Sequence, residues 1–175
     1  MSRRGSVISY LEMCQTEGTS LQRGMNFRLR GGHSVILMSV RANAPYQDQV
    51  LDDGSTLIYE GHDEPKRAGI TNPKGIDQPE RTPNGSLTEN GKFNQAAQGF
   101  KNGQKGPDIV QVYEKIKAGI WIDNGFFHLI DSWIENDGSR KVFKFRLAAV
   151  ETVSDENAPE ALATSLAERS RIIPT

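Results

Sequence analysis

Three strand-forming stretches stand nearly end to end near the C-terminal side of the chain: "DIVQVYEKI", "AGIWIDNGFFHLIDSWIEN" and "RKVFKFRLAAVE". Each is rich in β-branched and aromatic residues, and only short turn sequences divide them. Such a run has to pair with itself, which makes an antiparallel sheet the centre of any fold this chain adopts. The first stretch reads as a strand over 109–116. Asp123-Asn124-Gly125 reads as a turn between "GIWI" and "FFHLIDSWI", and "NDGSR" as a second hairpin turn. In "KVFKFRL", Val142, Phe143, Phe145 and Leu147 are set against Lys144 and Arg146, which predicts a buried face and a wet one.

The N-terminal half is more varied. Val7, Ile8 and Leu11 have helical spacing and predict a short helix over residues 6–16. "HSVILMSVRA" and "STLIYEG" read as strands, the second entered through the turn Asp52-Asp53-Gly54. Sixteen residues separate Val40 from Leu57, too many for a tight hairpin, so a shaped loop joins the two strands. Residues 61–92 hold four prolines and five glycines and few core formers. Loops of this length inside a compact domain are usually functional or disordered. Thr88 is placed to cap a helix through Phe93, Ala96, Ala97 and Phe100, closed near Gly103. A further helix is expected from about Pro159 to Ser170. The expected architecture is α+β: about five or six mostly antiparallel strands in a curled sheet or barrel, with two or three helices.

At 175 residues the chain is most simply one domain. No apolar run reaches the roughly 18 residues needed to span a membrane. Cys14 is the one cysteine, which rules out an internal disulfide and a cysteine-based zinc site. A cytoplasmic location is expected. The net charge of −1 does not advertise nucleic acid, but its distribution is uneven. Residues 1–45 carry six basic and two acidic side chains, residues 46–60 four acids and no base, and residues 61–106 seven bases and five acids. An acidic spot between two basic regions suits a surface that follows a phosphate backbone while the spot does something local. A mixed, solvated surface is the plain alternative.

Catalytic signals are weak. His33, His62 and His128 have no metal-ligand spacing, no phosphate loop occurs, and "GHDE" at 61–64 is a polar loop cluster of the kind that is usually solvated. The stretch "APYQDQVLDDGSTLIYEGHD" is richer. Tyr46 and Tyr59 could form two walls of a slot with Asp48 at its floor. A cytosine there would offer its N4 amino donor to the carboxylate, whereas thymine would present an acceptor and be refused. Taking a base out of a duplex costs a few kcal/mol, which aromatic walls must offset. The plain alternative for Tyr59 is a core residue with its hydroxyl at the edge.

The order "LRGGHSVILMSVRANAPYQDQVLDDGSTLIYEGHD", "LTENGKFNQAAQGF" and "IVQVYEKI…GIWIDNGFFHLIDSW…RKVFKFRLAAVE" resembles the SRA (SET- and RING-associated, or YDG) domain over about residues 24–151. The resemblance implies a PUA-like curled β-barrel that flips 5-methylcytosine from DNA into a pocket. The family's stacking tyrosines fall on Tyr46 and Tyr59. Its base-contacting acid falls three residues after the first tyrosine, where this chain has Gln49, so that role passes to Asp48 with Asp52 in reserve. Glu60 replaces the usual Thr after the second tyrosine, which implies a different pocket lining that tolerates a hydroxymethyl group.

The resemblance is to bacterial SRA-like domains fused to an HNH nuclease in modification-dependent restriction endonucleases. It implies an SRA-like domain over 1–152 and an acidic linker and helix over 153–175, with "RIIPT" at the joint to the nuclease. This chain is then expected to read and not to cut. No cofactor is expected in it, the divalent metal belonging to the nuclease. The expected partner is double-stranded DNA carrying modified cytosine, with homodimerisation through the parent's nuclease domain as a further expectation. Arg23, Arg28, Arg30, Lys66, Arg67 and Lys74 are the candidates for gripping phosphates or entering the gap left by the base. A PUA-like module for modified RNA or another flat ligand is the alternative reading.

Overall fold

The computed structural model describes residues 4–151; the tail segment and the helix expected there lie outside the described residues. Along the chain run β1 (Val7–Ser9), α1 (Tyr10–Glu17), β2 (Met25–Asn26), β3 (Ser34–Met38), β4 (Gln49–Leu51) and β5 (Thr56–Glu60). Then come α2 (Glu89–Lys101), β6 (Asp108–Lys117), β7 (Ile120–Asn136) and β8 (Lys141–Ala149). The strands form one sheet in the order β2-β3-β6-β7-β8-β5-β4, with β1 added on β7. The class is α+β, with more strands than the sequence reading counted. Among the described residues no helix is long and apolar enough to cross a membrane.

Three local readings change. Residues 7–9 are a strand, because Ile8 pairs with Trp121 before the helix begins. Ser9 then caps α1, its Oγ accepting from the Glu12 N–H at 3.1 Å. Asp123-Asn124-Gly125 is a bulge inside one 17-residue strand and not a turn. There Val112 pairs with Gly125 but Tyr113 with Asp123, and Gly125 takes φ +82°. Asp123 holds the bulge by accepting from Gly125 N–H at 2.8 Å and Gln111 Nε2 at 2.6 Å. The turn sits earlier, at Gly119 with φ +75°. Lys144 is only 6% exposed, because a loop covers the face of β8 expected to be wet.

β3 and β6 pair in parallel, from Ser34 opposite Val110 to Met38 opposite Glu114. Parallel strands need long crossovers and cover on both faces, which explains the unbroken apolar "SVILM". Ile36 and Met38 join Phe93, Ala96 and Ala97 of α2 in the main core. Val35 turns the other way, toward Met13 of α1, Tyr113 and Trp121. α2 begins where expected, Thr88 Oγ1 accepting from Gly91 N–H at 3.2 Å.

The sheet curls until its distant parts meet. Gly24, at the entrance to β2, lies against Tyr59 of β5, which is five places away in the strand order. A Cβ at Gly24 would stand 2.6 Å from the Tyr59 hydroxyl oxygen. This seam is where the crossover from β3 to β6 brings its first loop back over the sheet.

Candidate functional site

A cavity of about 530 Å³ opens along the seam, lined among others by Arg23, Gly24, Arg41, Tyr46, Asp48 and Tyr59. The two tyrosines and Asp48 come from the loop after β3 and from β5, and the curl brings them together. Strand alternation decides who faces in: Tyr59 joins the main core and the cavity wall, while Glu60 points to the opposite face.

Asp48 is a half-buried carboxylate with two anchors. Oδ1 accepts from the Glu60 N–H at 3.0 Å and Oδ2 from the Ser39 N–H at 3.1 Å. It thereby ties the ends of β3 and β5 to the loop, and each oxygen keeps a second lone pair for a ligand. Burial pushes its pKa up to about 6; the two backbone donors and Lys144 act against that rise, and Glu60 adds to it. Burial likewise raises the Tyr46 and Tyr59 hydroxyls, so both stay protonated donors near neutral pH.

Glu60 does not line the cavity. It is 5% exposed, and its Oε2 accepts from the Gln47 N–H at 2.9 Å. Lys144, its cross-strand partner, donates to the Gln47 carbonyl at 3.3 Å. The pair fastens the loop between Tyr46 and Asp48 from behind. Gln49 and Asp52 also lie outside the cavity, exposed on β4 and in the turn after it. Asp52 and Asp53 both take left-handed φ, +51° and +53°, which short polar side chains tolerate and a tight turn requires.

Tyr46 is half-buried and stands between two clefts. The second, about 560 Å³, shares Arg23, Gly24 and Tyr46 with the first and is otherwise lined by residues such as His62, Arg67, Arg81 and Lys92. Tyr59 is 4% exposed, so it meets the cavity as a fixed wall belonging to the core, with its hydroxyl end at Gly24.

The basic candidates divide. Arg28 makes a paired contact with Asp108, at 2.9 and 3.1 Å, which raises the pKa of its guanidinium through that hydrogen bond. Arg67 sits 3.3 Å from Glu64. Lys74 lies over the Tyr46 ring and bridges to Asp63. Arg23, Arg30 and Lys66 are exposed and make no ion pair among the described residues. Arg41 and Trp121 line the cavity without having been singled out. The clue for Arg41 was its place in the loop that carries Tyr46; nothing near Trp121 in sequence pointed to it.

The "GHDE" cluster is structural. Asn90, fully buried at the start of α2, accepts from the His62 N–H and donates to its carbonyl, both at 2.9 Å. Asp63 pairs with Arg140 at 2.7 Å and Lys74 at 2.8 Å.

No family model matches the chain, and no curated protein matches it either. Solved structures do. The SRA domain of SUVH5 in complex with hemimethylated CG DNA is 22% identical at a TM-score of 0.56, covering 86% of this chain and 90% of that one. The same domain bound to fully hydroxymethylated CG DNA gives 23% identity and a TM-score of 0.57 over the same shares. The type IV phosphorothioation-dependent restriction endonuclease ScoMcrA matches at 14% identity and a TM-score of 0.56, over 87% of this chain and 26% of that one. With its curled mixed sheet, the two α-helices among the described residues and the loop folded back over the seam, this chain has the fold of an SRA domain.

Proposed function

We propose that this chain reads 5-methylcytosine in double-stranded DNA by receiving the flipped base in the seam cavity. The convergence of Tyr46, Asp48 and Tyr59 on one cavity carries the reading. Tyr46 offers a half-exposed ring for stacking, Tyr59 a fixed wall, and Asp48 an acceptor for the N4 amino group. Arg23, Arg30 and Lys66 are the cations left for phosphates. The SRA structures in complex with methylated and hydroxymethylated DNA, and the restriction-endonuclease neighbour, support the reading. In this reading the chain is the recognition module of a modification-dependent HNH endonuclease, and cutting belongs to the parent.

Tyr46→Ala should weaken binding to a methylated duplex about ten- to a hundredfold, because base–aromatic stacking is worth about 1–3 kcal/mol per base. Tyr59→Ala is a poorer probe, since it also empties core volume; Tyr59→Phe keeps the core and removes the hydroxyl. Gel shifts compare methylated, hydroxymethylated and plain duplexes with an RNA of equal length. Equal binding to methylated and plain DNA, or preference for the RNA, sinks the proposal. Methylated plasmid incubated with the protein and Mg²⁺ should stay uncut.

A further inference from the structure

Lys74 was a candidate phosphate contact on sequence grounds, but its surroundings give it another task. Its Nζ sits 4.0 Å from the centroid of the Tyr46 ring. The same ammonium donates to the Pro45 carbonyl at 2.5 Å and pairs with Asp63 Oδ2 at 2.8 Å. Its donors are therefore directed at the loop and the carboxylate, and its charge lies against one face of the aromatic ring.

The chain of support continues inward. Asp63 Oδ1 accepts from Arg140 at 2.7 Å, and the Asp63 N–H approaches the Tyr46 hydroxyl at 3.4 Å. The Arg140 side chain is 3% exposed, and Nη1 donates to the carbonyls of Pro73 at 2.9 Å and Ile76 at 3.3 Å. Those two residues flank Lys74 in the chain. A buried arginine from the β7–β8 turn thus fixes both the carboxylate that holds the Lys74 ammonium and the backbone that carries Lys74. Tyr46 is held at its hydroxyl by the Asp63 amide and on one ring face by Lys74.

We infer that Lys74 is a positioning residue for Tyr46: backed by Asp63 and Arg140, it covers one face of the ring and leaves the other to stack on the modified base. The inference rests on the reading proposed above. It assigns selectivity for the modified base, and not general grip on DNA, to a lysine outside the cavity. A phosphate contact and a ring support differ in what they do to salt dependence, and that difference can be measured.

The experiment compares wild type, Lys74→Met and Lys74→Arg, binding methylated and plain duplexes across a salt series by fluorescence anisotropy. Lys74→Met should lose about two- to fivefold in affinity for the methylated duplex, the range of an exposed cation–ring contact. Affinity for plain DNA and the log–log salt slope should stay unchanged, and Lys74→Arg should restore most of the loss. An equal loss on both duplexes with the slope flattened by ~0.9 makes Lys74 a phosphate ligand and overturns the inference. So does no change on either duplex. A DNA-free measurement separates this inference from the reading beneath it. In the free protein the Lys74 ε-methylene protons should show an upfield ring-current shift that Tyr46→Leu abolishes. If that shift is present and wild type does not prefer methylated DNA, the base reading fails while the ring contact stands. If the shift is absent, the positioning role fails whatever the DNA result.

Discussion

Burial and the proposed reading role pull the ionisation of Asp48 in opposite directions. In the free fold, burial raises its pKa from the ordinary carboxylate range to about 6. The folded state therefore holds a proton more tightly than the unfolded chain. The stabilisation from that proton is complete below about pH 4 and is lost as pH rises through 6, on the order of 2–3 kcal/mol over the window. Reading an amino group needs the ionised acceptor, so affinity should move the other way. Binding to methylated duplex should be flat above about pH 7 and fall toward about tenfold per unit below pH 6. Asp48→Asn, which does not titrate, should flatten that profile. A wild-type profile that stays level from about pH 7.5 to pH 5 removes Asp48 from the reading role. At this scale the sequence was informative about the meeting of Tyr46, Asp48 and Tyr59 at one cavity, because they lie within one loop and the strand it enters. It was silent about the contact that joins Lys74, Asp63 and Arg140, because only the packing of residues 61–78 against the β7–β8 turn makes them neighbours. Glu60 was misplaced for a simpler reason: next to a tyrosine that faces in, a strand residue must face out.

Among the elements, helix α2 was legible down to its cap, because Thr88 and the apolar spacing behind it are local signals. β7 was not. Asp-Asn-Gly has the chemistry of a tight turn, and the same left-handed glycine serves a bulge equally well. What decides is the partner strand: β6 continues past the site with Gln111 bonded to Asp123, so β7 bends and keeps pairing. Gly125→Ala should cost about 1–2 kcal/mol, because an L side chain at φ +82° strains the backbone. Urea melts check it, with Asn124→Ala as a neighbouring control expected within about 0.5 kcal/mol of wild type. A Gly125→Ala melt that overlays wild type means the bulge relaxes into another register. The buried Lys144 and the parallel β3–β6 pair escaped the sequence for one shared reason. Which faces are covered depends on loops and helices that arrive from far along the chain.

At the level of the whole molecule, the strands follow two regimes of chain closure. β6, β7 and β8 form a meander of neighbours in sequence, whereas β3 reaches β6 only after an excursion through β4, β5 and α2. Contacts of long sequence separation form late and slowly, since loop closure precedes any gain from them. Every residue proposed to touch the modified base lies within that excursion. Gly24 against Tyr59 also means that the site spans parts of the sheet that no ladder of hydrogen bonds joins directly. A guest held there works as a staple. Methylated DNA at saturating concentration should slow amide exchange through local opening at β2 and β5 alike, beyond the common slowing that binding gives to amides exchanging by global unfolding. Protection confined to β5 would mean that the guest touches one side of the seam alone. In the proposed reading, a seam that Gly24 and Tyr59 close by packing alone would gain, from the DNA it holds, a tie between two strands that share no ladder.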